Sequence, residues 1–253
     1  MFSSFCSQVI LLNVYILFGI IMFVIVGYNL AENICDTEFL AYDTLSTRAV
    51  VEALLTAVIE IKDIKKSVSN IFVHKGTIKE GSIEVGGEVE ATVDAKLRQR
   101  AKVHHTATHL LQAVLKKVIG QETSQAGSLV AFDRLRFDFN FHWPLLDNEL
   151  MEIEELINSW IEDSTLLQTK VMPLTDAKKA GAIAMFEEKY GEQVQVSIKS
   201  FFLCVIEVPG VTMELCGGTH VSSTSEIRGL KIISEQVKAE DVPVKLETLF
   251  EEL

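Results

Sequence analysis

Two short segments, far apart in the chain, restrict how it can fold. The first is VHHTATHLL, residues 103–111, where His105 and His109 stand four apart inside a strongly helical pattern. On a helix this spacing puts two imidazoles one turn apart on the same face, where they can hold one metal ion. The second is ELCGGTH, where Cys216 and His220 are again four apart, around two glycines. HxxxH alone is a weak signal, and so is CxxxH. Together they supply a four-ligand zinc set, provided the fold brings both segments to one place. A cysteine thiolate selects zinc over magnesium or calcium. Gly217 and Gly218 give the backbone freedom to bend tightly around an ion.

The same residues limit the chemistry. Helical metalloproteases use HExxH, in which the glutamate is the general base. Here Thr106 follows His105, so that base is missing and a peptidase is disfavoured. Four protein ligands usually mark a closed structural site, whereas a catalytic ion keeps an open position. On the residues alone both roles stay open.

Charge narrows the partners. The formal net charge of -12 argues against a general nucleic-acid binder and against DNA, so any RNA contact must be local. Lys96, Arg98, Arg100 and Lys102 form a basic cluster leading into the histidine helix, and Lys116–Lys117 lie near its end. These side chains could meet RNA phosphates, or could equally form a solvated helix face. The cysteines, Cys6, Cys35, Cys204 and Cys216, include no CxxC pair. That spacing predicts no disulfide framework and fits a reducing compartment.

The N-terminus is unusual. Met1–Ala31 carries no charged side chain, and residues 9–27 are apolar apart from Asn13 and Tyr15. That is long enough to cross a bilayer as one helix. A cleaved signal peptide fits less well, because no Lys or Arg precedes the run. Two origins account for it: a single-pass membrane anchor, or an alternative first exon joined to a soluble domain.

Periodicity orders the rest. Thr37–Thr56 reads as a helix with Leu40, Leu45, Val50, Val51, Leu54 and Leu55 as its apolar positions. From residue 58 to residue 94 the pattern turns β-rich, with a turn at Lys75–Gly76 and a glycine hairpin at Gly86–Gly87. A helix is expected over Leu97–Ile119, stopped by Gly120. Its stripe of Val103, Ala107, Leu110, Leu111, Val114, Leu115 and Val118 leaves His105 and His109 nearly opposite, facing a cleft or solvent. Gln125–Ser128 reads as a turn or loop, and Leu135–Phe141 as a half-buried strand. Pro144 and Asp147 start a second long helix to about Asp163. Shorter elements follow: a strand near Lys170–Met172, a helix from Thr175 through Phe186, and a strand over Gln193–Val196. A last strand spans Ile227–Ser234, and the acidic tail gives no clear pattern.

HTATHLL, the Gln125–Ala–Gly–Ser run, DRLRFDF, GAIAMFEEKYGE and ELCGGTHV, in that order, resemble the editing domain of alanyl-tRNA synthetases and of free-standing alanyl-tRNA editing proteins. The likeness runs from about Thr37 to Gln236. It implies an α+β fold, a mixed or antiparallel sheet packed with long helices around zinc held by His105, His109, Cys216 and His220. It implies hydrolysis of the ester joining serine or glycine to the 3′ acceptor end of alanine tRNA. Gln125 would help in the site, and Thr106 or Thr108 could supply a hydroxyl near the metal. A pocket that hydrogen-bonds a serine hydroxyl would reject alanine, which lacks it.

The chain departs from the family in several places. It carries no aminoacylation segment, and the expected FYAESGGQ-like stretch before Ile59 is missing. Ser197–Cys204 reads as an insertion, and Glu187 stands where glycine is usual. The expected organisation is an apolar segment at 1–36, with an N-terminal apolar helix, and a partial β-rich lead-in at 37–95. A zinc-binding editing domain follows at 96–236 and a divergent tail at 237–253. The location is cytoplasmic or organellar, with membrane contact through residues 9–27 if the anchor reading holds. The competing reading is a non-catalytic, zinc-stabilised fragment that binds tRNA or a partner. Oligomeric state is not legible.

Overall fold

The computed structural model describes residues 9–17, 20–28, 49–53, 57–66, 72–82, 88–141, 143–183, 202–236 and 244–249. The chain divides into two compact units, Met1–Ala101 and Lys102–Leu253. The architecture is α+β, and every pairing between named strands is antiparallel.

The first unit holds the strands Val9–Leu17 (β1), Ile20–Tyr28 (β2), Ala49–Ala53 (β3), Ala57–Lys66 (β4), Phe72–Gly81 (β5) and Glu88–Val93 (β6). They close into a barrel in the order β1-β2-β5-β4-β3-β6. The N-terminal apolar helix expected from the sequence is therefore not formed. That run is two strands, paired with Leu17 opposite Ile20. Its residues are mostly Val, Ile, Phe and Tyr, which suit strands, and an apolar run of this length does not by itself separate one helix from two buried strands. Among the described residues no helix is long and apolar enough to cross a membrane.

The helix expected over Thr37–Thr56 is corrected in the same way where it can be seen. Val50 and Val51 lie on β3, between β4 and β6, while residues 29–48 and 54–56 lie outside the described residues. Lys75–Gly76 is not a turn but the middle of β5. A Cβ on Gly76 would stand 2.7 Å from the Glu60 carbonyl oxygen, so the glycine marks a close approach of strands. The Gly86–Gly87 hairpin falls outside the described residues, and β6 pairs with β1 and β3.

The helix Ala95–Val118 (α1) carries the histidines, and the division between units falls within it. Asp94 caps it, its Oδ1 accepting from the backbone N–H of Lys96 at 2.9 Å and of Leu97 at 3.0 Å. Gly120, with φ 135°, follows its end. The second unit adds the helices Asp147–Glu162 (α2) and Leu174–Lys179 (α3). Its strands are Ser124–Val130 (β7), Leu135–Asn140 (β8), Gln168–Pro173 (β9), Phe202–Val208 (β10), Thr212–Leu215 (β11), Lys231–Gln236 (β12) and Val244–Leu249 (β13). One sheet runs β12-β13-β8-β7 and another β11-β10-β9.

One core joins these elements. Val103, Leu110, Leu111, Val114 and Leu115 of α1 pack with Leu135, Phe137 and Phe139 of β8 and with Ile153, Ile157 and Ile161 of α2. Several expectations change here. Gln125–Ser128 is not a loop but part of β7. β13 fills the space between β8 and β12, so the tail, unread in the sequence, completes a sheet. α3 stops at Lys179, ahead of Gly181 at φ 85°, and residues 184–201, with the strand expected over Gln193–Val196, lie outside the described residues. The last expected strand begins only at Lys231, after a short 3-10 turn at Thr224–Ile227. Cys204 is disulfide-bonded, against the expectation of free thiols, while Cys216 is free.

His74 on β5 is buried, and its Nδ1 has no hydrogen-bond partner among the described residues. Burial pushes its imidazole from the ordinary 6.5 down to about 4. The unfolded chain therefore takes up this proton before the folded one does. Stability that is present above pH 6.5 falls as the pH drops through about 4. The loss is about 3 kcal/mol. Urea midpoints followed over this range should decline in the wild type and decline less in His74→Leu; parallel curves would exclude His74 as the cause.

Candidate metal centre

α1 is buried on two sides. Besides its apolar stripe, Thr106, Thr108, His109 and Gln112 are all buried, at 0%, 3%, 3% and 2% exposure. Of the two alternatives the stripe leaves open, cleft or solvent, the histidine face takes the covered one. The chain from Thr212 to Val221 covers it. β11 is fixed there from both sides: Cys216 N donates to the Cys204 carbonyl at 3.0 Å, and Leu215 N to that of Ile183 at 2.9 Å.

His105, His109, Cys216 and His220 meet at this place, each offering a ligand atom, all within 4.8 Å of one another. Tetrahedral zinc with bonds of about 2.0–2.3 Å sets its ligand atoms about 3.3–3.8 Å apart. The cluster is within about 1 Å of that spacing. The His105 and His220 rings stack with centroids 4.3 Å apart, and His109 lies 5.2 Å from His105 and 5.0 Å from His220.

Each imidazole is oriented through Nδ1. His105 Nδ1 donates to the Thr219 carbonyl at 3.1 Å. His109 Nδ1 lies 2.6 Å from Glu214 Oε2. His220 Nδ1 lies 3.3 Å from Thr106 Oγ1, which also accepts from Val221 N at 3.2 Å. This leaves Nε2 of each ring for the centre. His105 Nε2 is 3.4 Å from Cys216 Sγ, while Nε2 of His109 and of His220 are buried with no hydrogen-bond partner among the described residues. Buried nitrogens without partners are costly in a folded protein. Two of them beside a thiol are the donor set a soft divalent ion requires, so the residues fit a metal.

Electrostatics favour a ligand form for Cys216 and His220, while on His109 they hold a proton that an ion would have to displace. Burial opposes charge on His109, but Glu214, then Cys216, outweigh it and hold its imidazole well above the ordinary range. Burial would raise the Cys216 thiol, but His105 and His109 outweigh it and hold it well below its ordinary value, as thiolate. Burial pushes His220 down to about 3, so it stays neutral with a lone pair available. Gly218 N donates to Cys216 Sγ at 3.4 Å. The glycine pair works differently from the expectation. Neither residue has a left-handed backbone, and a Cβ on Gly217 would meet nothing within 4 Å.

Sequence reasoning missed Glu214. It is fully buried, accepting from Thr212 Oγ1 at 2.8 Å as well as facing His109. Its signal is visible afterwards: an acid two residues before a ligand cysteine, in a strand whose alternation turns it inward. Of the other candidates, Thr106 has its hydroxyl engaged by His220 and Val221. Gln125 lies on β7, with Oε1 buried and without a hydrogen-bond partner among the described residues. The basic cluster does not form one surface. Helical spacing puts Lys96 and Arg100 on one side and Arg98 and Lys102 on another. Lys96 is exposed and the other three are half-buried.

Residues 203–242, which include Cys216, His220 and Glu214, match the family model described as the threonyl and alanyl tRNA synthetase second additional domain. Over 83% of its length the chain is 63% identical to the chloroplastic/mitochondrial alanine--tRNA ligase of Populus trichocarpa, covering 25% of that protein. It is 56% identical to that of Arabidopsis thaliana over 82% of its length and 25% of the relative. The chain is a homologue of the alanine--tRNA ligases. It spans about a quarter of the length of these relatives. In Synechococcus sp. (strain JA-3-3Ab) the alanine--tRNA ligase is 44% identical over 82% of this chain and 27% of that protein. The aligned stretch with the poplar ligase is longer than this chain's share of it, so that ligase carries internal residues without a counterpart here.

The buried carboxylate–imidazole contact gives a direct test. Glu214→Gln keeps the shape but removes the charge behind His109. Competition with a chromogenic chelator should show one zinc bound per chain in the wild type, and affinity lower by about ten- to a hundredfold in the variant. Unchanged affinity would mean that Glu214 does not support the site.

Proposed function

We propose that this chain is a zinc-dependent aminoacyl-tRNA deacylase that hydrolyses the ester between serine or glycine and the 3′ terminal adenosine of alanine tRNA. The observation that carries the reading is the meeting of His105, His109 and His220 with the Cys216 thiolate, where Nε2 of His109 and of His220 have no hydrogen-bond partner among the described residues other than that sulfur, in a homologue of alanine--tRNA ligases. Its chloroplastic/mitochondrial relatives in poplar and Arabidopsis support an organellar site of action.

An aminoacyl ester is already reactive, so fixed geometry and a placed water are sufficient for hydrolysis. Zinc held by His105, His109, Cys216 and His220 would supply a fixed positive charge and Lewis acidity. The chain's own residues do the positioning. Glu214, the Thr219 carbonyl and Thr106 set the three rings through Nδ1, which aims Nε2 inward. With its hydroxyl committed to His220, Thr106 serves as a positioning residue. Gln125, whose amide oxygen is unengaged, is the side chain assigned to the substrate.

A second reading has one observation in its favour: four protein ligands close a tetrahedral ion, as in structural sites. In that case the chain is a zinc-stabilised fragment that binds tRNA or a partner without chemistry. Serine release separates the two. Zinc-loaded protein should free serine from serylated alanine tRNA at least about a hundredfold faster than Cys216→Ala or chelator-treated protein. Equal rates would leave only the structural role.

Docking of tRNA is assigned to the exposed side of the first turns of α1. Lys96→Ala with Arg100→Ala should weaken tRNA binding at low salt and reduce the slope of log affinity against log salt by about one to two, with zinc content unchanged. An unaltered slope would place the phosphate contacts elsewhere.

A further inference from the structure

Cys204 lies beside the metal cluster and is not one of its ligand residues. It is buried on β10 and disulfide-bonded, whereas Cys216 is free. β10 and β11 pair with Val205 opposite Leu215 and Ile206 opposite Glu214. One step further in this register Cys204 faces Cys216. The hydrogen bond from Cys216 N to the Cys204 carbonyl, at 3.0 Å, carries the pairing to that point. Residues directly opposite in an antiparallel pair hold their side chains on the same face. Alternation settles which face this is. Val205 and Leu215 turn to α3, where they pack with Ala177. Glu214 and Cys216, with Ile206 and Cys204 opposite them, turn to α1, where Glu214 meets His109 and Cys216 meets His105. A hydrogen-bonded antiparallel pair has its Cα atoms about 5.5 Å apart, inside the range that a disulfide spans. Two sulfurs therefore share one face, one of them bonded and the other free.

The same row reaches solvent. In the sheet β11-β10-β9 the strand beyond β10 is β9, and there Val171 stands opposite Cys204. Val171 is 48% exposed, against 8% for Cys204. Val171, Cys204 and Cys216 thus cross the sheet from a wet side to the metal cluster, with Cys204 in between. A small thiol reagent arriving over β9 meets the Cys204 sulfur before it meets the ligand.

We propose that Cys204 and Cys216 form a thiol–disulfide exchange pair that couples retention of the metal to the redox state of the chain. This rests on the metal reading of the cluster and does not require hydrolysis. In the exchange, Cys216 Sγ attacks Cys204 Sγ as thiolate. A bond forms between the strands, and the bond from Cys204 to its former partner breaks. That partner departs as thiolate with the electron pair and takes a proton from water. Cys216 is oxidised and the departing sulfur reduced, so no outside oxidant is consumed. Cys216 then has no thiolate to offer, and three imidazoles remain for the ion. A dithiol reductant reverses the state: it reduces the Cys204–Cys216 bond to two thiols while closing its own disulfide. An ion already in place engages the Cys216 sulfur and slows the attack.

The test maps disulfides in the full chain by mass spectrometry after free thiols are alkylated. Digestion at glutamate, which cuts at Glu207 and Glu214, puts the two cysteines on separate peptides. Metal-free protein kept without reductant should yield the Cys204–Cys216 linked pair, and zinc added beforehand should lower that yield at least about tenfold. Zinc affinity, measured by chelator competition in dithiol–disulfide buffers, should be at least about tenfold weaker in the oxidising buffer than in the reducing one. Cys204→Ser should bind zinc as the reduced wild type does and show no difference between the two buffers. Melting temperature reports whether that variant folds, and the linkage map on the wild type needs no variant. Absence of the linked pair from metal-free protein overturns the proposal. An equal redox dependence in folded Cys204→Ser overturns it too, while leaving the metal centre standing. A fully reduced wild type that takes up no zinc refutes the metal reading and the coupling with it.

Discussion

α1 must bury two unlike faces at once, and the rest of the second unit follows from that. Its apolar face is satisfied by Phe137, Phe139, Ile153 and Ile157 through shape and area alone. Its polar face is harder to satisfy. His109 has 3% exposure, and each of its ring nitrogens needs a partner. Glu214 supplies one, at 2.6 Å, and being itself fully buried it needs His109 in return. A buried carboxylate with its partner removed is strongly destabilising. That mutual need pins β11 to α1 and brings Cys216 and His220 to His105.

The ligand loop is held from the far side by α2. Asn158 donates from Nδ2 to the Leu230 carbonyl at 2.9 Å and accepts from Leu230 N at 2.8 Å. Glu154 accepts from Ile232 N at 2.7 Å and from Lys231 Nζ at 2.5 Å. Thr224 Oγ1 donates to the Trp160 carbonyl at 2.8 Å and accepts from Thr165 N at 2.9 Å. The stretch following His220 is thus bonded, residue after residue, to the helix that completes the core. Packing and site geometry are one structure: moving α2 moves the backbone that leads out of the ligand loop.

How far the sequence revealed this depends on the kind of signal. α1 and α2 were legible because their apolar periodicity is long and bounded by clear markers, Gly120 after the first and Asp147 at the start of the second, although the Asp94 cap was not read. The four clustered side chains were legible because two spaced pairs of rare residue types stand out from any background. What failed was the apolar N-terminus, where Val, Ile and Phe suit a strand and a buried helix alike, and Gly76, whose role depends on the Glu60 carbonyl of the neighbouring strand. β13 could not be foreseen, since Val244–Leu249 gains its meaning only by lying between β8 and β12. Glu214 was hidden for the same reason. A carboxylate in an acidic chain reads as surface until its partner, far away in sequence, is known. The basic run at 96–102 shows the reverse error, because adjacency in sequence looks like a patch while a helix distributes it around its axis.

Charge explains how a metal centre is tolerated in a buried place. A divalent ion held by one thiolate and three imidazoles, once His109 had given up its extra proton, would be close to neutral as an assembly with Glu214 behind it. Neutrality makes the ion tolerable in a buried place, since an uncompensated charge there would carry a large desolvation cost. It also means that the centre exerts little pull on a polyanion at a distance. The chain as a whole, at -12, repels one.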